Sequence, residues 1–538
     1  MAVIRRELSI DSVRAVQSIV APSPPPERRD RPARRPHRQV TVMLNPLRMS
    51  AALTCVWAAG TAAGQGLRFM DQTSARLVLS VATFTDAEEK DMAAADLDAD
   101  GDPDLVVVRK APFSVAGPRP DILLMNEGGV LIDRTAELAP GFLTAFTDAR
   151  DVVIADVTGD AWPDVVIVGT FGSRPRLYVN RGLDAGGAWL GLMDETVSRL
   201  PRLATLLNQP SAPRFCAGAA GDIDGDGDLD LYFSNYNPEP AGVTEDVLLI
   251  NNGAGVFTDD TASRLGDFRF SAFNTSGLFM DADNDGDQDI VKVSTLYDVA
   301  PWNETGVFLL LNDGAGRFTG SAPTRLASVD PYMVAAGALD QDQRPDLYVV
   351  KDTDDLTLTT AGAAGAGYLV TGVVSPRTTE LGGNIHMADV DGDGDLDVGV
   401  GPVDTDIQNC DGPQAGSFEL LANDGAGGLS VMPIVAGDVL SQRPHDFEFL
   451  DLDGDGMLDI VMGLCSGWRV YMQQEPPPPP PPPCPLDLTG DRIINALDIT
   501  LVLNAWGLPG GPMDLNGDGV VDGVDVTFML SSWGPCDP

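Results

Sequence analysis

DLDADGDPDLVVV (Asp96–Val108) sets five carboxylates at alternate positions and runs straight from them into an apolar stretch. Like charges at that spacing repel, so a chain that gathers them implies a cation among them. The apolar, β-branched run behind reads as a buried strand.

The stretch recurs. Its first nine residues, DLDADGDPD (96–104), return as DVTGDAWPD (156–164), DIDGDGDLD (222–230), DADNDGDQD (281–289), ALDQDQRPD (338–346), DVDGDGDLD (389–397) and DLDGDGMLD (451–459). Successive starts lie 60, 66, 59, 57, 51 and 62 residues apart, the signature of a repeat architecture.

The chemistry of the loop is that of a hard cation. Calcium takes several oxygen ligands, and carboxylates at positions 1, 3 and 5 converge when the chain turns sharply. Glycine at position 6 permits that turn, position 7 offers its carbonyl and Asp at position 9 closes the shell. Magnesium, which retains its waters, suits such a cage less well. The expected ligands are Asp96, Asp98, Asp100, Asp102 and Asp104 in the first loop, and Asp156, Thr158, Asp160 and Asp164 in the second. The third offers Asp222, Asp224, Asp226, Asp228 and Asp230, and the fourth Asp281, Asp283, Asp285, Asp287 and Asp289. The sixth offers Asp389, Asp391, Asp393, Asp395 and Asp397, and the seventh Asp451, Asp453, Asp455, Met457 and Asp459. Ala338 and Gln343 at positions 1 and 6 predict that the fifth loop has lost its ion.

Each loop lies between a small or apolar stretch (VVIADV, AAAADL) and a β-branched run (DVVIV, DIVKV), which reads as strand, loop, strand. Beyond them, DVLLINNGAGVFTDDTASRL (246–265) has the Asn-Gly-type turn of a hairpin, and 121–138 and 307–326 echo it. Each repeat is therefore a four-stranded antiparallel unit, A-loop-B-C-D, and radial repetition of such units makes a β-propeller. The last repeat ends after its C strand, RVYMQQ (469–474), while LRFMDQTSARL (67–77) matches a D strand. The expectation is a mainly β, seven-bladed propeller over 66–474, pinned shut by a strand from the N-terminal side.

These repeats resemble the FG-GAP/VCBS family, whose best-known members are the propellers of integrin alpha subunits. The resemblance implies calcium in the D-x-D-x-D-G-x-x-D loops on one face and partners on the other.

Residues 475–483 carry eight consecutive prolines, a semi-rigid polyproline spacer. After it, 484–538 holds two related segments, DLTGDRIINALDITLVLNAWG (487–507) and DLNGDGVVDGVDVTFMLSSWG (514–534). Positions 1, 3, 5, 9 and 12 are Asp487, Thr489, Asp491, Asn495 and Asp498, then Asp514, Asn516, Asp518, Asp522 and Asp525, as in an EF-hand loop with Asp at its end. Each is followed by a helix-length apolar segment closing on Trp-Gly, with Gly as the expected C-cap. The duplication resembles the dockerin family, which implies a small α-helical domain folded by calcium and a cohesin-type partner. Arg492 stands where that first loop expects glycine.

Residues 1–42 are basic and rich in Pro and Arg and are read as lying outside the mature protein, with Met43 or Met49 as the start. Residues 43–64 have the basic, apolar and small-residue regions of a signal peptide, too short to span a bilayer as a helix. The expected location is secreted or cell-surface associated. Cys484 with Cys536 and Cys410 with Cys465 are the disulfide candidates, leaving Cys216 free. With 79 acidic against 35 basic residues the net charge is −44, which argues against nucleic acid and anionic membranes as partners.

Strand alternation singles out one polar patch. Five residues before each loop, facing the channel, stand Asp91, Asp151, Ala217, Ser276, Met333, Asn384 and Asp446, with His386 and Glu448 two residues deeper. As a functional site it would take a sugar or a metal; otherwise these are satisfied channel polars. Three functions follow: a non-catalytic recognition module for a glycan or extracellular protein, a carbohydrate-active enzyme, or a purely structural assembly protein.

Overall fold

The computed structural model describes residues 66–79, 89–110, 117–203, 213–236, 244–271, 274–294, 305–340, 342, 344–351, 355–360, 368–374, 382–402, 417–434, 443–464, 467–475, 484 and 486–536. The leader segments 1–42 and 43–64, the prolines, Cys410 and Cys465 lie outside them.

Seven antiparallel sheets form the blades of a propeller. The A strands are Glu89–Ala95, Ala149–Ala155, Phe215–Gly221, Gly277–Met280, Pro331–Gly337, Gly382–Ala388 and Pro444–Leu450. Each B strand begins on the ninth loop residue: Asp104–Lys110, Asp164–Gly169, Asp230–Asn235, Asp289–Ser294, Asp346–Lys351, Asp397–Pro402 and Asp459–Leu464. Neighbouring blades cover both faces of these strands, so they read as continuous apolar runs rather than alternating ones. C strands follow, from Ile122–Asn126 to Gly467–Gln474, and short D strands form the rim.

The core lies between blades. In blade one, Leu105 and Val107 pack with Leu450, Val461 and Trp468 of blade seven. Val106 and Val108 point the other way, onto Val152, Val165 and Tyr178 of blade two. Successive side chains of one strand thus serve two interfaces.

Closure is as the sequence led one to expect. Arg68–Asp71 is the outer strand of blade seven, antiparallel to Gly467–Gln474, with Arg68 opposite Gln474 and Asp71 opposite Tyr471. The rest of the 67–77 stretch departs from a single strand. It makes one helical turn, Thr73–Arg76, then pairs Leu77–Val78 parallel with Leu131–Asp133 of blade one. A D-x-T device causes the turn: Asp71 accepts from the Thr73 N–H and hydroxyl at 3.0 and 2.6 Å. Asp133–Thr135 and Asp259–Thr261 repeat both bonds and Asp194–Thr196 the backbone one, and a side chain that bonds the backbone two residues on draws the chain out of the sheet.

The C-terminal unit has two nine-residue helices, Ala496–Asn504 and Gly523–Ser531, and a small core of Ile494, Val502, Val521 and Met529. Capping boxes start both helices, Asn495 with Asp498 and Asp522 with Asp525. The helices end earlier than their Trp-Gly pairs, with Ala505 and Ser532 at the C-caps; Gly507 takes φ +77° three residues past the first helix. Cys484 and Cys536 are joined in a disulfide across 52 residues, and Cys216 is a buried free thiol.

Candidate functional site

The A–B loops share one geometry. The first aspartate accepts from the N–H of position 6: Asp96 from Gly101 at 3.1 Å, Asp222 from Gly227 at 3.0 Å, Asp281 from Gly286 at 3.1 Å, Asp389 from Gly394 at 3.0 Å and Asp451 from Gly456 at 2.9 Å. Position 6 sits at φ between +87° and +100° in these five loops, a region that favours glycine. In the second loop Ala161 adopts φ +71° and makes the same bond to Asp156 at 2.7 Å, storing backbone strain to preserve the turn.

Carboxylates converge inside. Asp96, Asp98 and Asp104 bring oxygens within 4.8 Å of one another, as do Asp222, Asp224 and Asp230; Asp281, Asp283 and Asp285; Asp389, Asp391 and Asp397; and Asp451, Asp453 and Asp455. Several acidic clusters therefore have the arrangement to hold metal ions. Their donor set is all oxygen, which suits a hard cation, and Asp224, Asp283, Asp287, Asp389 and Asp395 each have a buried Oδ1 with no hydrogen-bond partner. Burial, then neighbouring acids, pushes Asp287 and Asp395 up to about 6.

Position 9 does two things at once. Asp104 accepts from Leu97 N–H at 3.1 Å and Asn126 N–H at 2.9 Å, and Asp164, Asp230, Asp289, Asp397 and Asp459 repeat the pattern. Burial raises Asp104, Asp230, Asp289, Asp397 and Asp459 to about 7 and Asp164 to about 6, against the pull of those N–H donors. In Asp104, Asp230, Asp289 and Asp459 each oxygen keeps a lone pair for a further partner, whereas Oδ2 of Asp164 and of Asp397 accepts a second N–H, from Thr158 and Asp391. In the fifth loop, Arg344 places its Nε and Nη2 at 3.0 and 2.6 Å from Asp342 Oδ2, so a guanidinium neutralises an acid there.

The C strands contribute a residue that the sequence reading passed over. The side-chain amide of Asn126 donates to Leu452 O of blade seven at 3.0 Å, and Asn180 to Leu97 O of blade one at 2.8 Å. Asn251, Asn312 and Asn423 do likewise to Val157, Ile223 and Leu339. The recurring apolar-apolar-x-Asn ending of the C strand was its signal.

At the other end of the A strands the channel widens into a cavity of about 330 Å³. All nine residues of the polar patch line it: Asp91, Asp151, Ala217, Ser276, Met333, Asn384, Asp446, His386 and Glu448. They come from the beginnings of the A strands, whereas the acidic loops follow the strand ends, so cavity and loops occupy opposite faces. Several of these side chains latch adjacent blades. Asp151 accepts from Gly218 N–H at 2.6 Å, Asp446 from Met92 N–H at 2.8 Å and Ser276 from Val334 N–H at 3.4 Å. Asn384 donates to Asp91 at 3.3 Å and to His445 O at 3.3 Å.

His386 sits between two carboxylates, its Nε2 3.0 Å from Asp446 and its Nδ1 3.6 Å from Glu448. Burial opposes its charge, yet those two neighbours hold the imidazole well above its ordinary value. Burial, reinforced by Asp446 and Asp151, pushes Asp91 well up, and burial raises Asp151 to about 7. The mouth thus offers hydrogen-bond donors and acceptors together rather than one uniform charge.

In the C-terminal unit Asp487 accepts from Gly490, Asp491 and Arg492 N–H groups, and Asp514 from Gly517, Asp518 and Gly519. Arg492 takes φ +67° where its counterpart Gly519 takes +97°. Thr489, Asp491, Asn516 and Asp518 line the same turns, while Asp498 and Asp525 lie buried, bonded to the loop backbone.

No protein-family profile matches the chain, and no curated protein is similar to it. Solved structures that resemble it include an Agrocybe aegerita lectin that recognises non-reducing terminal N-acetylglucosamine, at 15% identity over 72% of this chain and 86% of that one, with a TM-score of 0.42. The Photorhabdus luminescens Tc holotoxin pore matches at 14% identity over 69% of this chain and 16% of that one, with a TM-score of 0.32. Neither likeness is close enough to say what this chain binds.

Proposed function

We propose that the chain is an exported, calcium-dependent recognition module: the propeller takes a neutral polyhydroxyl ligand, a glycan, at its channel mouth, and the C-terminal unit tethers it to a cohesin-type partner. The carrying observation is the convergence of Asp91, Asp151, Asn384, His386 and Glu448 on one cavity of about 330 Å³. Mixed donors and acceptors in a concave site suit hydroxyl groups. The partnerless buried loop oxygens support calcium, which would be held by the loop carboxylates and would neutralise their charge. The Cys484–Cys536 disulfide supports an oxidising compartment. For the tether, Leu497, Leu503 and Trp506 on one repeat and Val524, Leu530 and Trp533 at the equivalent positions of the other are all exposed. No described helix is long and apolar enough to cross a membrane.

A carbohydrate-active enzyme is the second reading, favoured by His386 held between Asp446 and Glu448 in the same cavity. A glycan array followed by calorimetry on the full chain, with and without chelator, tests the first. Binding that disappears in Asn384→Ala and Glu448→Gln, with no product in reducing-end and lyase assays, supports recognition. Turnover supports the enzyme. Binding that both variants retain removes the cavity from consideration.

A further inference from the structure

We propose that Arg76 is a clasp whose hold on the ring depends on an ion in the seventh loop, so that cation binding governs how firmly the N-terminal strand closes the propeller. The inference rests on the calcium reading above.

Arg76 ends the helical turn Thr73–Arg76, just after the strand that closes blade seven. Its Nη2 donates to Asp453 Oδ2 at 2.9 Å and its Nη1 to the Gly129 carbonyl at 3.0 Å. Asp453 is the third residue of loop seven, and Gly129 lies in the C–D turn of blade one. One guanidinium therefore joins the N-terminal segment to an ion loop and to the neighbouring blade.

The arrangement is built, not incidental. Arg264 repeats it at the next clasped junction, with Nη2 2.8 Å from Asp224 Oδ2 and Nη1 2.8 Å from the Ala315 carbonyl of blade four. Glycine faces both clasps, at φ +84° for Gly129 and +70° for Gly316, a region that favours glycine. A Cβ on Gly129 would lie 2.5 Å from Arg76 Nη1 and 3.0 Å from Asp453 Cβ, and one on Gly316 would meet Arg264 and Asp224 in the same way.

The third loop residue is what links ion to clasp. Asp224 gives Oδ2 to Arg264 while its Oδ1 is buried without a partner, beside the oxygens of Asp222 and Asp230. A cation there would fix the side chain that the arginine needs. In loop seven, Asp451, Asp453 and Asp455 bring oxygens within 4.8 Å of one another, and a cation among them would hold Asp453 in the rotamer that meets Arg76. Guanidinium and ion need not compete by charge: loop seven carries four aspartates, against three positive charges for a dication plus one arginine. Blade two supplies an internal contrast, since Arg199 reaches Ala254 O of blade three but the third loop residue is the neutral Thr158.

Hydrogen exchange of the full chain in calcium and in chelator, read at Arg68–Asp71, tests the coupling. Wild type should exchange there about tenfold faster in chelator, the scale of one lost charge-assisted hydrogen bond. Arg76→Ala should be fast in both conditions. The decisive variant is Asp455→Ala, which spares both clasp partners and removes an ion ligand together with its bond from the Met457 N–H; in calcium it should exchange like chelated wild type. Asp285→Ala, which removes a ligand from loop four, should leave this strand protected. Full protection in Asp455→Ala, or a wild-type strand indifferent to chelator although calorimetry shows calcium bound, overturns the coupling alone. Calorimetry showing no bound calcium overturns the ion reading itself and the coupling with it.

Discussion

Asn251 reaches out of its own blade to place its side-chain amide 2.8 Å from the Val157 carbonyl of the blade before it. Its Oδ1 meanwhile accepts from Gly255 N–H at 2.9 Å, so the same side chain fixes the C–D turn. Asn251 is 6% exposed, and its removal strands buried backbone groups on both sides. Asn251→Ala should therefore destabilise the propeller by about 1–3 kcal/mol. The comparison is the thermal midpoint against Asn252→Ala, whose side chain bonds only its own turn; equal midpoints would remove the latch as a source of stability.

A second expectation concerns pH without metal. The ninth-position carboxyls Asp104, Asp230, Asp289, Asp397 and Asp459 stand at about 7 in the folded chain, mainly from burial, against 3.8 unfolded. A raised folded value means that the native state binds the proton more tightly. Its stabilising contribution is complete below about 3.8 and is lost as pH rises through about 7. Chelated protein should thus melt higher at pH 5 than at pH 8. With calcium bound the loops stay ionised and protons compete with the ion, so the slope should reverse. Parallel profiles in calcium and chelator would count against ions in the loops.

Calcium stoichiometry gives a third. Asp281 anchors the loop-four turn, and Asp283 brings a partnerless buried oxygen to the same cluster. Asp281→Ala should lower the number of bound ions by one. Asp342→Ala in blade five, where Arg344 already supplies the positive charge, should leave the number unchanged. Calorimetric titration of both variants decides; a loss in the second would make loop five an ion site after all.

How much of this was written in the chain depends on range. The acidic A–B loops were legible because each is nine contiguous residues whose pattern is local. The channel patch was legible because the period-2 alternation of a strand carries a known facing to a known depth, which placed Asp91 through Asp446 around one cavity before any contact was known. The blade-to-blade bonds were not. Asn180 meets Leu97 across 83 residues, and nothing in either segment names the other. The helical turns after the D strands were missed for a different reason: D-x-T competes with the ladder through side-chain bonds that a hydrophobic pattern does not register.

The C-terminal unit has a small core for its size, centred on Ile494, Val502, Val521 and Met529. The Cys484–Cys536 bond closes a loop of 52 residues, worth about 4 kcal/mol through restriction of the unfolded chain. Reduction should therefore abolish most of the cooperative melting of the isolated helix signal at low calcium while leaving the propeller transition in place. Circular dichroism with and without reductant reads both; an unchanged helical transition would show that the core and the loops suffice.

Within the cavity, the most buried acid is the wrong one to mutate when looking for a ligand. Asp446 is fully buried, accepts from Met92 N–H at 2.8 Å and lies 3.0 Å from His386 Nε2. Asp446→Ala would leave a backbone N–H unpaired between blades seven and one and His386 short of one carboxylate neighbour. The expected loss is about 3 kcal/mol of stability, whatever the cavity binds. Asn384 and Glu448 are only half-buried, and their strand neighbours carry the blade packing, so Asn384→Ala and Glu448→Gln should lower the melting midpoint little. Glu448→Gln should also bring His386 down toward its ordinary value, visible as an imidazole titration entering the neutral range by NMR. If Asp446→Ala melts like wild type, Asp446 is no latch, and the carboxylates of the mouth are held there for something other than the ring.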